Sequence, residues 1–234
     1  MGKMNLVISA DDFGLSRKAN QAILELALLG KIQRVAVFAD GVFEGADIER
    51  LAASGVKLDL HLELPEKIDG REERRGEQLS RIFDFMKSYF TGGNSREKVR
   101  KEWWRQMDKF SVLFGRSPDG INSHQHVHFF PVYLPLALEL GKKSRENYVR
   151  FFQNDFLRTT KAVPLILWVM GRIGGSMFRE SGMNSADYLI GLDWISDRIN
   201  ISFPFPEGIV ELVAHPERDA EMQILKDRSF ILAK

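Results

Sequence analysis

Cysteine is absent from the 234 residues, which removes disulfides, thiolate nucleophiles and sulfur-ligated zinc or iron–sulfur sites together. Any metal must then sit on His, Asp or Glu. An excess of charge of one sign is equally lacking: 33 basic side chains stand against 32 acidic ones, a formal net charge of +1. That balance supplies no field for holding a polyphosphate chain, so nucleic acid is not an expected partner. Long apolar stretches are missing too. The longest, over 162–170, falls well short of the ~20 residues that cross a bilayer, and Asp11 and Asp12 arrive too early for a secretory leader. No membrane partner is expected, and the expected location is the cytoplasm.

What is present, 44% apolar and 28% charged residues, is an ordinary globular composition. Residues 5–10 are apolar and rich in β-branched side chains, a strand signal. Ser16 then stands as an N-cap ahead of apolar positions Ala19, Ala22, Ile23, Leu26 and Leu29, with Gly30 as the stop. The alternation continues with a strand at 34–38, a helix at 43–53 and a strand at 56–62. A polar, glycine-dotted excursion at about 69–95, carrying the charge run 71–75 and a short helix near 80–89, reads as solvated surface. Beyond it the pattern predicts a helix over 96–114, a strand over 120–123, a helix over 132–140, a strand over 148–152, a helix over 160–172, and strands over 187–190 and 209–214. No repeat or linker divides the chain. The fold class is α/β: a single irregular (β/α) barrel of about seven strands, one domain spanning 1–234.

The five histidines are His61, His124, His126, His128 and His215. Each falls at or just past the C-terminal end of a predicted strand, as do Asp11 and Asp12. Strand C-termini in such a barrel converge on one face and carry the active site. A single histidine at a strand end is more commonly a hydrogen-bonded core or surface residue; all of them on one rim is a different matter. One acid there can serve the dipole of the following helix. Two adjacent acids followed by Phe13-Gly14 ask for a cation or a second role.

Four motifs, in order, carry a resemblance. They are Ala10-Asp11-Asp12-Phe13-Gly14, His61-Leu62-Glu63-Leu64, Ser123-His124-Gln125-His126-Val127-His128 with Pro131 after it, and Glu211-Leu212-Val213-Ala214-His215-Pro216. Together they resemble the motifs of the YdjC-like carbohydrate deacetylases. The resemblance implies an irregular (β/α) barrel and one divalent metal ion, Mg²⁺ or Zn²⁺, held by Asp12, His61 and His124. It implies a metal-dependent hydrolase that removes acetyl from an N-acetylated sugar or oligosaccharide by attack of a metal-bound water. Asp11 would be the general base and His215 the acid, and Arg150 lies on a strand that approaches the pocket. Three positions depart from the family pattern: Asn122 stands where aspartate is usual, Asp59 where a glycine commonly precedes His-Leu, and Glu217 where glycine follows His-Pro. The chain is also short at its C-terminus for the family, so part of the sugar-binding wall is expected either to be missing or to be supplied by a partner subunit, as a homodimer would allow.

These residue types suit amide hydrolysis. A metal polarises the carbonyl and, when it is zinc, lowers the pKa of bound water from about 15.7 to about 7. Two imidazoles and one carboxylate leave coordination positions open, as a catalytic site requires. His126, His128, Phe129 and Trp194 are candidate substrate contacts, with Phe130 beside them; the adjacent Trp103 and Trp104 fit helix packing better. Two other readings stay open. One is a catalytically silent sugar-binding or regulatory barrel, which would bind sugar without releasing acetate. The other is a different metal-dependent amidohydrolase or phosphoesterase, although its His-x-His pair typically opens the chain rather than lying in its middle. No Gly-x-Ser-x-Gly elbow or phosphate-cradling glycine loop is present.

Overall fold

The computed structural model describes residues 4–65, 88, 91–152, 162–195 and 207–227. The first units are β1 (Met4–Phe13), α1 (Arg17–Leu28), β2 (Arg34–Val37), α2 (Asp47–Ala53) and β3 (Lys57–Leu62). Then come α3 (Arg96–Phe114), β4 (Gly120–Ser123), a 3₁₀ segment (His124–Phe129), α4 (Leu134–Gly141) and β5 (Tyr148–Phe152). The last are α5 (Ala162–Ser181), β6 (Asn184–Ala186), β7 (Tyr188–Gly191), α6 (Leu192–Ile195), β8 (Gly208–Ala214) and α7 (Asp219–Lys226). Ser16 caps α1 as its position predicts, its hydroxyl accepting from the Ala19 N–H at 3.1 Å. Gly30, at φ +65°, ends that unit. Most of the polar excursion expected at 69–95, including its short helix, lies outside the described residues.

Among the described residues eight strands, all paired in parallel, form one sheet in the order β6-β5-β4-β3-β2-β1-β8-β7. The sheet curls until β5 touches β7, giving a nearly closed α/β barrel. The expected count of about seven strands is corrected to eight. The strand anticipated at 187–190 is present as β7, paired with β8; the additional strand is the short β6 just before it, paired with β5, and the seam of the barrel lies between the two. Asp187 makes the change of partner: its N–H donates to the Ile209 carbonyl at 2.9 Å and its Oδ2 accepts from the Ile209 N–H at 2.8 Å.

The strands present opposite chemistry on their two faces. Towards the helices they place Val35, Val37, Leu58, Leu60, Leu62, Ile121, Val149, Phe151, Val210 and Leu212, all buried. Towards the barrel axis they place Ser9, Asp11, Arg34, Asp59, His61, Asn122, Arg150 and Glu211, also buried. Branched apolar layers usually fill such an interior. Here it is polar, so each group must find a partner or cost several kcal/mol. Outside the sheet, Trp103 of α3 is fully buried, donates to the Glu63 carbonyl at 2.9 Å and meets Tyr133 edge-on; truncating such a residue costs about 3–5 kcal/mol.

One helix outruns its expected end. The glycine-rich stretch after Arg172 reads as a terminator, yet α5 continues to Ser181. A Cβ on Gly171 would lie 2.2 Å from the Phe152 ring, and one on Gly174 2.6 Å from Leu134. These glycines let the helix approach β5 and α4 closely enough for Phe178 to stack on Phe151 at 4.6 Å.

Candidate metal centre

The site begins with a fault in β1. Its pairing with β2 shifts register between Ala10 and Phe13, and Asp12 takes φ +71°. Regular alternation would send residues 11 and 12 to opposite faces; a bulge re-aims one of them. A non-glycine residue in this region costs of order 1–3 kcal/mol. The turn that follows is held by the Gly14 N–H donating to Asn20 Oδ1 at 2.7 Å, and by Gly14 packing so close to Gly41 that a Cβ would sit 2.8 Å from the Gly41 Cα.

His61, the penultimate residue of β3, lies in register with Asn122 on β4. Its Nδ1–H donates to Asn122 Oδ1 at 2.6 Å, turning Nε2 towards Asp12, whose Oδ1 is 3.2 Å away. His124 follows directly after β4, where Gln125 and His126, at φ +53° and +55°, kink the 3₁₀ segment. Its Nδ1 lies 3.1 Å from the same Asp12 Oδ1. The three donor atoms fall within 4.8 Å of one another. Two donors about 2.1 Å from one ion lie about 3.0–3.4 Å apart at ordinary coordination angles, so the spacing fits a single cation. Phe38 packs edge-on against both rings, with centroids 4.7 and 5.4 Å away. Asp12 and His61 are buried while the His124 side chain is 38% exposed, so the centre opens to solvent on that side. Burial opposes the charge of Asp12, but His124 and His61 outweigh it and hold the carboxyl well below the usual range. Burial likewise opposes protonation of His61, and Asp12 and Asp11 overcome it.

Asp11 turns away from the pair of imidazoles. Arg150 grips it with both arms, NH1 to Oδ2 at 2.6 Å and NH2 to Oδ1 at 2.8 Å. Against the cost of burial, the Arg150 charge lowers the Asp11 pKa to about 2. His215 follows β8. Its N–H donates to Glu221 Oε2 at 2.7 Å, and its Nδ1 sits 3.9 Å from that oxygen, an ion-pair distance. Burial disfavours the imidazolium, yet Glu221, Asp12 and Asp11 raise its pKa to about 9. Glu217 lies within electrostatic reach of His215 and Asp12, with Oε2 buried and unpaired; burial pushes its carboxyl up.

The remaining candidates separate. His128 has no exposed surface: its Nε2–H donates to the Arg150 carbonyl at 2.7 Å, and its Nδ1 accepts from the Ser123 hydroxyl at 2.5 Å. Phe129 is fully buried and stacks on Phe151 at 4.8 Å. Neither offers surface to a ligand. Both expected substrate contacts pack instead, because the kinked segment turns them inward. Arg150 is also wholly buried, and its reach is to Asp11. His126 is half-buried, with Nδ1 unpaired; burial holds its pKa well below the ordinary value. Trp194 is partly buried in α6, just past the end of β7. Sequence reasoning missed Tyr148 and Glu211 as neighbours of Arg150. Tyr148 stands two residues from Arg150 on the same strand face, and that period-two signal was available. The departure at Asp59 has a local explanation: Arg34 engages both its oxygens, and glycine at 120 makes room, since a Cβ would sit 2.7 Å from both partners.

The structure thus combines an α/β barrel, one carboxylate and two imidazoles at its strand C-termini spaced as donors that could hold a metal ion, and a second carboxylate clamped beside them. The YdjC-like protein family model matches residues 5–230, and the chain belongs to that family. Among curated relatives, the carbohydrate deacetylase of Mus musculus is 28% identical over 137 residues, covering 55% of this chain and 44% of that protein. The chitooligosaccharide deacetylase of Escherichia fergusonii is 30% identical over 141 residues, covering 56% and 53%. The chain thus spans about half the length of the curated relatives it matches. A proposed cellobiose-phosphate cleavage protein from Enterococcus faecalis shares the fold over 100% of this chain and 94% of its own, with TM-score 0.66 and 20% identity.

Proposed function

We propose that this chain is a metal-dependent deacetylase acting on an N-acetylated sugar or oligosaccharide. The observation that carries the reading is Asp12 Oδ1 at 3.1–3.2 Å from one nitrogen each of His124 and His61, with Asp11 beside it but held out of that sphere by Arg150. The carbohydrate deacetylases among the relatives support it.

Asp12, His61 and His124 would hold a divalent ion, and the two-nitrogen, one-oxygen donor set suits Zn²⁺ and admits Mg²⁺. When bound, the ion supplies Lewis-acid polarisation of the acetyl carbonyl and a water of lowered pKa. Asn122 keeps His61 in the tautomer that presents Nε2. Asp11 accepts the proton of the attacking water, and the Arg150 fork fixes the direction in which its lone pairs point. His215, whose pKa Glu221 and the nearby aspartates raise, gives a proton to the departing sugar amine. His126 and Trp194 remain as the candidate sugar contacts at the mouth.

The test is acetate release from N-acetylglucosamine oligomers and their phosphorylated forms by metal-stripped protein reloaded with Mg²⁺, Zn²⁺, Mn²⁺ or Co²⁺. Turnover restored by at least one ion is expected. Binding of these sugars with no acetate released under any ion would favour the silent sugar-binding barrel instead.

A further inference from the structure

The buried polar interior continues below the site in a way that amide hydrolysis does not by itself require. Arg150 has five N–H donors, and four hydrogen bonds place it. NH1 and NH2 take the two oxygens of Asp11, NH2 also meets Ser9 Oγ at 2.7 Å, and Nε donates to Glu211 Oε1 at 2.9 Å. Glu211 and Arg150 are both wholly buried. The second oxygen of Glu211 accepts from the Tyr148 hydroxyl at 2.5 Å. The Tyr148 ring is in turn covered by the Arg34 guanidinium, 4.1 Å from its centroid, and Arg34 is paired with Asp59. A ladder of alternating charge therefore runs from the base at the mouth to the opposite end of the barrel.

We propose that Glu211 is a positioning residue for the reaction: through Arg150, and with Tyr148 fixing its own far oxygen, it sets where the Asp11 carboxylate points. The geometry requires some such group. A guanidinium anchored only by Asp11 and Ser9 can pivot about its Nε, and Asp11 would move with it. Adjacent to a ligand, Asp11 has a competing place to go, the cation itself. A bidentate fork held from behind keeps it out of the coordination sphere and aimed at the water. Displacements of about 1 Å suffice to cost 10²-fold in rate. This inference rests on the deacetylase reading above.

The experiment compares wild type with Glu211→Gln, Tyr148→Phe and the double variant, each fully metal-loaded. Glu211→Gln is expected to lower kcat at least tenfold with KM within twofold and metal content unchanged, and Tyr148→Phe to lower kcat about threefold. The double variant should be no slower than Glu211→Gln alone, because Tyr148 acts only through Glu211. Additive losses, an unchanged kcat in either folded variant, or loss of bound metal in parallel with kcat would overturn the proposal. If Glu211→Gln does not fold, Tyr148→Phe alone decides. A second readout needs no turnover: the ¹⁵N resonance of Arg150 Nε–H should be protected from exchange in wild type and exchange at least tenfold faster in both single variants. Wild type that releases no acetate yet gives this signature defeats the deacetylase reading and leaves the clamp standing; equal exchange in all proteins defeats the clamp.

Discussion

Asp12 Oδ1 lies within 3.2 Å of a nitrogen on each of His61 and His124, so at the scale of single residues the site divides at one peptide bond. Asp12→Ala should abolish retention of metal after dialysis, read by elemental analysis. Asp11→Asn should leave the metal bound and lower acetate release by roughly 10²–10⁴-fold, the usual worth of a positioned general base. Equal metal loss in both variants would refute the division of labour. Asn122→Ala takes away the acceptor that orients His61 and should weaken metal affinity about 10–100-fold, measured by competition with a zinc chelator. The ligand candidates were legible because each falls at a strand end. The bulge that lets Asp11 and Asp12 serve different partners was not, since nothing in Ala10-Asp11-Asp12-Phe13 announces φ +71° at residue 12.

At the scale of elements, glycine on α5 has two meanings that composition cannot tell apart. Gly171→Ala forces a methyl into the Phe152 ring, a 2.2 Å approach, and should destabilise the fold by about 1–3 kcal/mol. At Gly175 the nearest contact is the end of the Arg179 side chain at 3.2 Å. Alanine there should be neutral or stabilise by up to about 1 kcal/mol, because it restores helix propensity. Urea unfolding of the two variants checks this, and like-signed destabilisation would contradict it. The sequence reading ended this helix near Arg172 because local punctuation outweighed a packing need that only Phe152 and Leu134 reveal. By contrast α3 runs from Arg96 to Phe114 as its amphipathic pattern requires.

At the scale of the whole molecule, a polar barrel interior makes stability depend on pH. Burial first, and then the Arg150 charge, lower the His128 pKa from 6.5 to about 3. Protons therefore bind the unfolded chain before the native one. The His128 contribution is intact above pH ~6.5 and is lost progressively as pH falls towards 3, with a slope of up to about 1.4 kcal/mol per pH unit. His128→Gln, less stable at pH 7, should lose less stability than wild type on acidification; urea midpoints at pH 7, 5.5 and 4.5 of the metal-free proteins measure it, and parallel curves would refute it. From the sequence alone came the βα rhythm, because strand and helix periods differ, and the rim of histidines, because strand ends are legible. Two things were decided only in three dimensions. The seam at Asp187 exists because β6, before it, finds β5 within hydrogen-bond reach while β7, after it, finds β8. The interior ladder joins Asp11, Arg150, Glu211, Tyr148, Arg34 and Asp59 from five strands, and polar groups so far apart in the chain pair only once closure of the barrel has removed the water that would otherwise satisfy them.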